Sequence, residues 1–268
     1  MPGALRGGWI RASSRLAGAG LWTLGWAILW SLGAVLLFPV SRQRLRWRQW
    51  SVRHWARGAA RVTGMRRLAR GTPPEPPFVL VTNHLSYLDI LLLHSTVRGV
   101  FVAKLEMRTW PLLGLMAHLT GTIWLNREVR RDTVRVLDRI GTAVSRGDGV
   151  ILFPEGTTSS GEGLLPMKSA LLDWAAREQF PVHCGAITYR TGPGAPPASQ
   201  VLCWWGDMTF GSHLMNLLRL RRFDGIVEFA PEPITAPTRG ELTRRLAEAI
   251  TGRLVPVPTG GENRDQAG

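Results

Sequence analysis

From Phe78 onward, short apolar runs alternate with longer amphipathic stretches. Runs rich in Val, Ile, Leu and Phe at 78–82, 100–103, 122–125, 150–153, 182–189, 201–205 and 225–229 have the length and composition of buried strands. Helical spacing of apolar positions marks 87–96, 111–119, 129–147, 168–178, 212–220 and 238–252. The alternation predicts an α/β domain, a central mixed sheet flanked by helices.

The first seventy residues follow another pattern. Leu16 to Val40 is an uncharged stretch of about 25 residues containing Trp22, Trp26 and Trp30, long enough to span a bilayer. Residues 41–70 then hold ten Arg and no Asp or Glu. Val52, Trp55, Ala59 and Val62 fall near one helical face, with Arg53, Arg57 and Arg61 beside it. A basic helix with a Trp-bearing apolar face suits anionic headgroups, so membrane lipids are expected partners and nucleic acid is not. No small-residue cleavage pattern follows the apolar stretch, which therefore reads as a retained anchor. The heavier basic flank places the catalytic part on the cytoplasmic side of the inner membrane. Arg6, Arg11 and Arg15 make the other flank basic too, so a helix lying in the leaflet competes with a spanning one.

These patterns divide the chain into a membrane-anchoring and basic region (1–70), a stiff Pro-rich linker (71–77), a catalytic domain (78–253) and a disordered tail (254–268). Apolar content of 45% is ample for a core, and the net charge is +14. Cys184 and Cys203 lie in apolar runs and read as buried free thiols. No Cys/His cluster has zinc spacing, so no metal or other resident cofactor is expected.

Candidate chemistry lies where two strands end. Asn83-His84-Leu85-Ser86-Tyr87-Leu88-Asp89 follows the first, with an imidazole and a carboxylate five positions apart, a base and its orienter. With six His and eight Asp in 268 residues, chance supplies about 0.2 such pairs, so the spacing alone is weak; a surface His beside a capping Asp competes. Phe153-Pro154-Glu155-Gly156-Thr157-Thr158 follows the second strand, a tight loop able to turn N–H groups toward an anion, or an ordinary Pro-Gly turn. Ser86 beside His84 raises a hydrolase triad as a competitor, although no Gly-x-Ser-x-Gly elbow is present. A non-catalytic membrane-binding protein explains the N-terminus but not the ordered motifs after Phe78.

Together these motifs resemble the glycerolipid acyltransferases that acylate lysophosphatidic acid and glycerol 3-phosphate. His84 to Asp89 matches that family's His-x4-Asp motif, and Glu155-Gly156-Thr157 the start of its Glu-Gly-Thr-Arg motif. Gly121 to Arg127 resembles the intermediate motif, Leu165-Pro166-Met167-Lys168 the lysine-bearing segment, and Phe180-Pro181-Val182 the last apolar proline motif. The resemblance implies a membrane-associated O-acyltransferase using acyl-CoA or acyl carrier protein as thioester co-substrate. It implies His84 and Asp89 as the catalytic pair, with Arg127, Glu155, Gly156, Thr157 and Lys168 binding substrate. The expected product is phosphatidic acid from 1-acyl-sn-glycerol-3-phosphate. Thr158 stands where the family has a phosphate-associated Arg, and Asn126 where it commonly has Asp. Threonine cannot replace a guanidinium on a phosphomonoester. Either Arg127 or another cation takes that contact, or the acceptor lacks the group, as in the lyso-ornithine lipid acyltransferases, which Glu155–Lys168 and Trp205–Met208 also resemble.

Overall fold

A computed structural model describes residues 8–258 except Phe38, Pro111 and Leu112. Its centre is a seven-stranded sheet in the order β1-β7-β6-β2-β5-β3-β4. The strands are β1 (Met65–Arg70), β2 (Phe78–Thr82), β3 (Gly99–Lys104), β4 (Ile123–Leu125), β5 (Gly149–Leu152), β6 (Val182–Thr191) and β7 (Phe223–Phe229). All neighbours are parallel except β6 and β7, so the sheet is mixed. Every residue of β2 is buried, as a central strand covered on both faces requires. Its alternate side chains feed two cores. Phe78 and Leu80 pack with α3 (Leu88–Thr96) and α8 (Phe210–Arg219) on one face. Val79 and Val81 pack with α5 (Arg130–Ser145), α6 (Asp173–Arg177) and α9 (Arg239–Thr251) on the other.

The N-terminal helices α1 (Trp9–Leu36) and α2 (Ser41–Thr63) form an antiparallel hairpin. Indole N–H groups stitch it along its length. Trp22 donates to the Trp55 carbonyl (2.9 Å), Trp26 to Ser51 (2.9 Å) and Trp47 to Trp30 (3.2 Å). Arg11 and Arg15 of α1 donate to the carbonyls of Arg219, Leu218 and Leu220, where a helix C-terminus favours cations.

The structure corrects five sequence expectations. The apolar face of α2 is not lipid-facing: Val52, Trp55 and Ala59 are buried in the protein, against Trp26 and Met116. The outward apolar face belongs to α1. The Pro-rich segment 71–77 does not bound the sheet, because β1, inside the basic block, pairs with β7. Its sequence, Met-Arg-Arg-Leu-Ala-Arg, hides the strand because an edge strand needs only one covered face. The run 201–205 is no strand. It closes a short helix, α7 (Ala198–Val201), and continues as loop. The helix expected over 168–178 is a 3-10 turn (Ala170–Leu172) followed by the five residues of α6. Within the expected tail, Val257 is 2% exposed and its N–H donates to the Gly161 carbonyl (2.9 Å). Residues 259–268 lie outside the described residues. Cys184 and Cys203 are buried free thiols, as read from the sequence.

Candidate active site

Two parallel strands create the site. β2 and β5 are paired with Val81 beside Leu152, so both chains leave the sheet at the same end. The His84 loop and the Glu155 loop, far apart in sequence, therefore meet. Asn83 extends the pairing of β2 by its side chain: Nδ2 donates to the Ile187 carbonyl (3.0 Å), and the Ile187 N–H donates to Oδ1 (2.6 Å). This clamp fixes where His84 departs.

The His84 ring lies with Nδ1 2.7 Å from Asp89 Oδ2. Asp89 is fully buried in the first turn of α3. Its Oδ2 also accepts the N–H groups of Leu85 (2.7 Å) and Ser86 (3.1 Å), and its Oδ1 accepts the Tyr189 hydroxyl (2.7 Å). A buried carboxylate with this many donors is held in one orientation. It fixes the tautomer with the proton on Nδ1, leaving Nε2 as the basic nitrogen. The other face of the imidazole stacks on Phe153, with centroids 3.9 Å apart, and Phe153 stacks on Phe101.

Glu155 is 3% exposed and does not present its carboxylate to solvent. Oε1 accepts the His84 backbone N–H (2.6 Å) and Oε2 the Leu165 N–H (2.8 Å). Burial pushes its carboxyl up from 4.5 to about 6, against the lowering effect of those two N–H groups. Glu155 thus braces the histidine loop from beneath. The exposed Arg127, at the end of β4, reaches over the Glu155 loop and donates to the Gly156 carbonyl (2.7 Å). Gly156 has φ +74°, and a Cβ there would lie 2.8 Å from that guanidinium. Lys168 joins the same rim through its N–H, which donates to the Pro154 carbonyl (2.9 Å), and its side chain is exposed. Thr157 is exposed, and Thr158 is half-buried.

All seven residues singled out in the sequence converge on this end of the sheet. Tyr189, Phe153 and the side-chain role of Asn83 were not foreseen, because strand-forming residues in an apolar run carry no sequence sign of what they touch. Ser86 is fully buried and its Oγ has no partner, so it does not form a triad with His84. His94 is buried edge-on against Phe101, and burial pulls it down to about 3, a packing histidine. Among the described residues no His, Cys, Asp and Glu cluster could hold a metal ion.

A histidine held by a buried carboxylate at the end of a sheet is a constellation for acid–base chemistry. A profile of the Acyltransferase family matches residues 59–188. Lyso-ornithine lipid O-acyltransferase of Rhizobium meliloti is 36% identical over 78% of this chain and 76% of its own. The 1-acyl-sn-glycerol-3-phosphate acyltransferase of Neisseria gonorrhoeae is 40% identical over 60% of this chain and 63% of its own. The crystal structure of PlsC, the 1-acyl-sn-glycerophosphate acyltransferase of Thermotoga maritima, has the same fold. It aligns with a TM-score of 0.60 at 20% identity, covering 90% of this chain and 95% of that one. The chain belongs to the acyltransferase family of lysophospholipid and glycerolipid enzymes.

Proposed function

We propose that this protein transfers a fatty acyl group from a thioester to the hydroxyl of a lysolipid, with His84 as general base. His84 Nε2 takes the hydroxyl proton as the oxygen attacks the thioester carbonyl. The C–S bond then breaks, and the thiolate leaves with the proton returned from the imidazolium, giving an ester and a free thiol. Asp89 stabilises the transient cation. General-base help of this kind is worth about 10²–10⁴-fold. The observation that carries the reading is the 2.7 Å contact between His84 Nδ1 and the fully buried Asp89.

For the acceptor we propose lyso-ornithine lipid, supported by Thr158, which cannot pair with a phosphomonoester, and by relatives of that name matching most of the chain. Lysophosphatidic acid is the second reading, favoured by Arg127, whose guanidinium sits on the Glu155 loop beside the vacated arginine position.

We also place the enzyme on the membrane with α1 in the interface plane. This helix is 28 residues long with a mean hydropathy of 1.5 in its most apolar window, and Ile10, Leu21, Leu24, Leu32, Val35 and Leu36 are exposed. It is bonded along its length to α2, which carries seven arginines, so spanning would draw those charges into hydrocarbon. The basic block favours the cytoplasmic leaflet.

The test is transfer by purified protein in detergent, with labelled acyl-CoA and acyl carrier protein run in parallel against both acceptors. The expected result is lyso-ornithine lipid acylation, lost in a folded His84→Ala variant. Preference for lysophosphatidic acid overturns the acceptor assignment; an active His84→Ala variant overturns the mechanism.

A further inference from the structure

A cavity opens at the other end of the sheet. It is a cleft of about 1200 Å³ between α2, α5 and the end of α1. It is bordered by Val100 and Ile123, near the starts of β3 and β4, whereas His84 follows the end of β2. Parallel pairing puts these ends on opposite sides of the molecule. The cleft is no part of the acyl-transfer site.

Its lining has two chemistries. Trp30, Leu45, Trp47 and Leu119 contribute apolar wall. Six arginines line it against two aspartates. One of those aspartates, Asp148, is 5% exposed and already paired with Arg48 and Gln49. Arg42, Arg139 and Arg146 are exposed, and their side chains make no ion pair or hydrogen bond among the described residues. Three uncommitted guanidiniums at an apolar cleft offer bidentate sites for a phosphate and a wall for an alkyl chain.

Location decides between anionic partners. Trp30 and Ala34 of α1 line the cleft, while Ile28, Leu32, Val35 and Leu36 on the same stretch of helix are exposed. The mouth therefore lies beside the surface that meets lipid. A volume at the upper end of small-molecule sites accommodates a headgroup and part of a chain. We propose that this cleft binds one anionic phospholipid from the membrane, with its phosphate against Arg42, Arg139 and Arg146 and its glycerol and upper chain against Trp30 and Trp47. It is a resident lipid, separate from donor and acceptor, that holds the hairpin against the catalytic domain.

The experiment counts lipids, not turnover, so it stands whatever the acceptor proves to be. Protein in nanodiscs of phosphatidylcholine with added phosphatidylglycerol is transferred to mild detergent, and retained lipids are weighed by native mass spectrometry. One phosphatidylglycerol is expected per chain, in preference to phosphatidylcholine. Each arginine near an anionic surface is worth about fivefold, so R42Q/R139Q/R146Q should weaken retention by roughly 10²-fold. These side chains are exposed, so the fold should survive, as circular dichroism would check. A control with equal charge loss elsewhere, R190Q/R239Q/R244Q, should retain the lipid. Equal loss in the control, or equal retention of phosphatidylcholine, overturns the site. So does a triple variant that keeps phosphatidylglycerol but no longer binds acyl carrier protein, which makes the cleft a protein dock.

Discussion

Replacing Glu155 by Gln separates the stability of the site from its activity. Glutamine is close in shape to the protonated carboxyl and cannot ionise. In the native state the Glu155 carboxyl is raised from 4.5 to about 6, burial outweighing the two N–H donors. A carboxyl raised on folding stabilises the native state fully below its unfolded value, and that contribution is lost as pH rises through the folded value. The difference of about 1.5 units corresponds to about 2 kcal/mol. Above pH 6 the wild type carries that ionisation penalty and the Gln variant does not. Both forms leave one of the two N–H groups facing a donor when the site is uncharged, so that term cancels when the variant is compared with the wild type at low pH. The two proteins should match near pH 4.5, and the variant should be more stable by up to about 2 kcal/mol at pH 7. Its kcat should nevertheless fall by about 10–10²-fold, because the His84 N–H loses the carboxylate that positions it and small displacements of a reacting group are costly. Denaturant unfolding in detergent from pH 4.5 to 7.5, alongside acyl-transfer rates, reads both. A stability difference that stays flat with pH, or a variant less stable at pH 7 than at pH 4.5 relative to wild type, refutes the reasoning.

Three further substitutions probe the rest of the site. Asp89→Asn removes the charge that fixes the His84 tautomer and should lower kcat by about 10³–10⁴-fold; activity within tenfold of wild type would dismiss Asp89 as the orienter. Tyr189→Phe deletes a hydrogen bond to a buried carboxylate and should lower unfolding free energy by about 1.5–3 kcal/mol, with kcat falling more than KM changes. Gly156→Ala forces a side chain into a left-handed conformation and against Arg127. It should be about 1–2 kcal/mol less stable and raise KM for the acceptor, whereas an unchanged KM would mean Arg127 does not meet it.

The sequence showed the interior strands well, since β2 and β5 are apolar runs buried at every residue and β3, β6 and β7 are apolar over most of their length. It failed at the edge and in the basic block. Met65 to Arg70 carries three arginines in six residues, and nothing local distinguishes an edge strand from the end of a basic helix there. The apolar stripe of α2 was visible, but a stripe does not say whether protein or lipid covers it. Here α1 and α3 do, and only tertiary packing shows that. At the site, His84, Asp89 and the Glu155 loop were legible as motifs, because strand-end loops carry polar residues in unusual combinations. Tyr189 was not, being one more residue of an apolar strand until its hydroxyl meets Asp89. Glu155 was seen, but its hold on the His84 and Leu165 N–H groups was not, since sequence cannot tell a buried carboxylate from an exposed one.

The burial of Glu155 separates, in the proposed reaction, the groups that hold His84 from those open to the acceptor. The two carboxylates nearest His84 are buried and bonded to backbone N–H groups and Tyr189, so neither lies open to solvent. They hold the His84 loop and ring in place. Under the proposed function the headgroup meets the exposed rim, where Arg127, Thr157 and Lys168 stand. The Thr158 side chain makes no hydrogen bond to the groups that hold His84 among the described residues, although the next residue, Ser159, donates its N–H to the His84 carbonyl (3.0 Å). The loss of an arginine there can therefore alter which lysolipid is accepted while the proton transfer at His84 Nε2 is unchanged. Thr158→Arg should shift the acceptor ratio toward lysophosphatidic acid through KM, with kcat on the preferred acceptor within a few-fold of wild type. A large fall in kcat on both acceptors would instead tie position 158 to the base and break the separation.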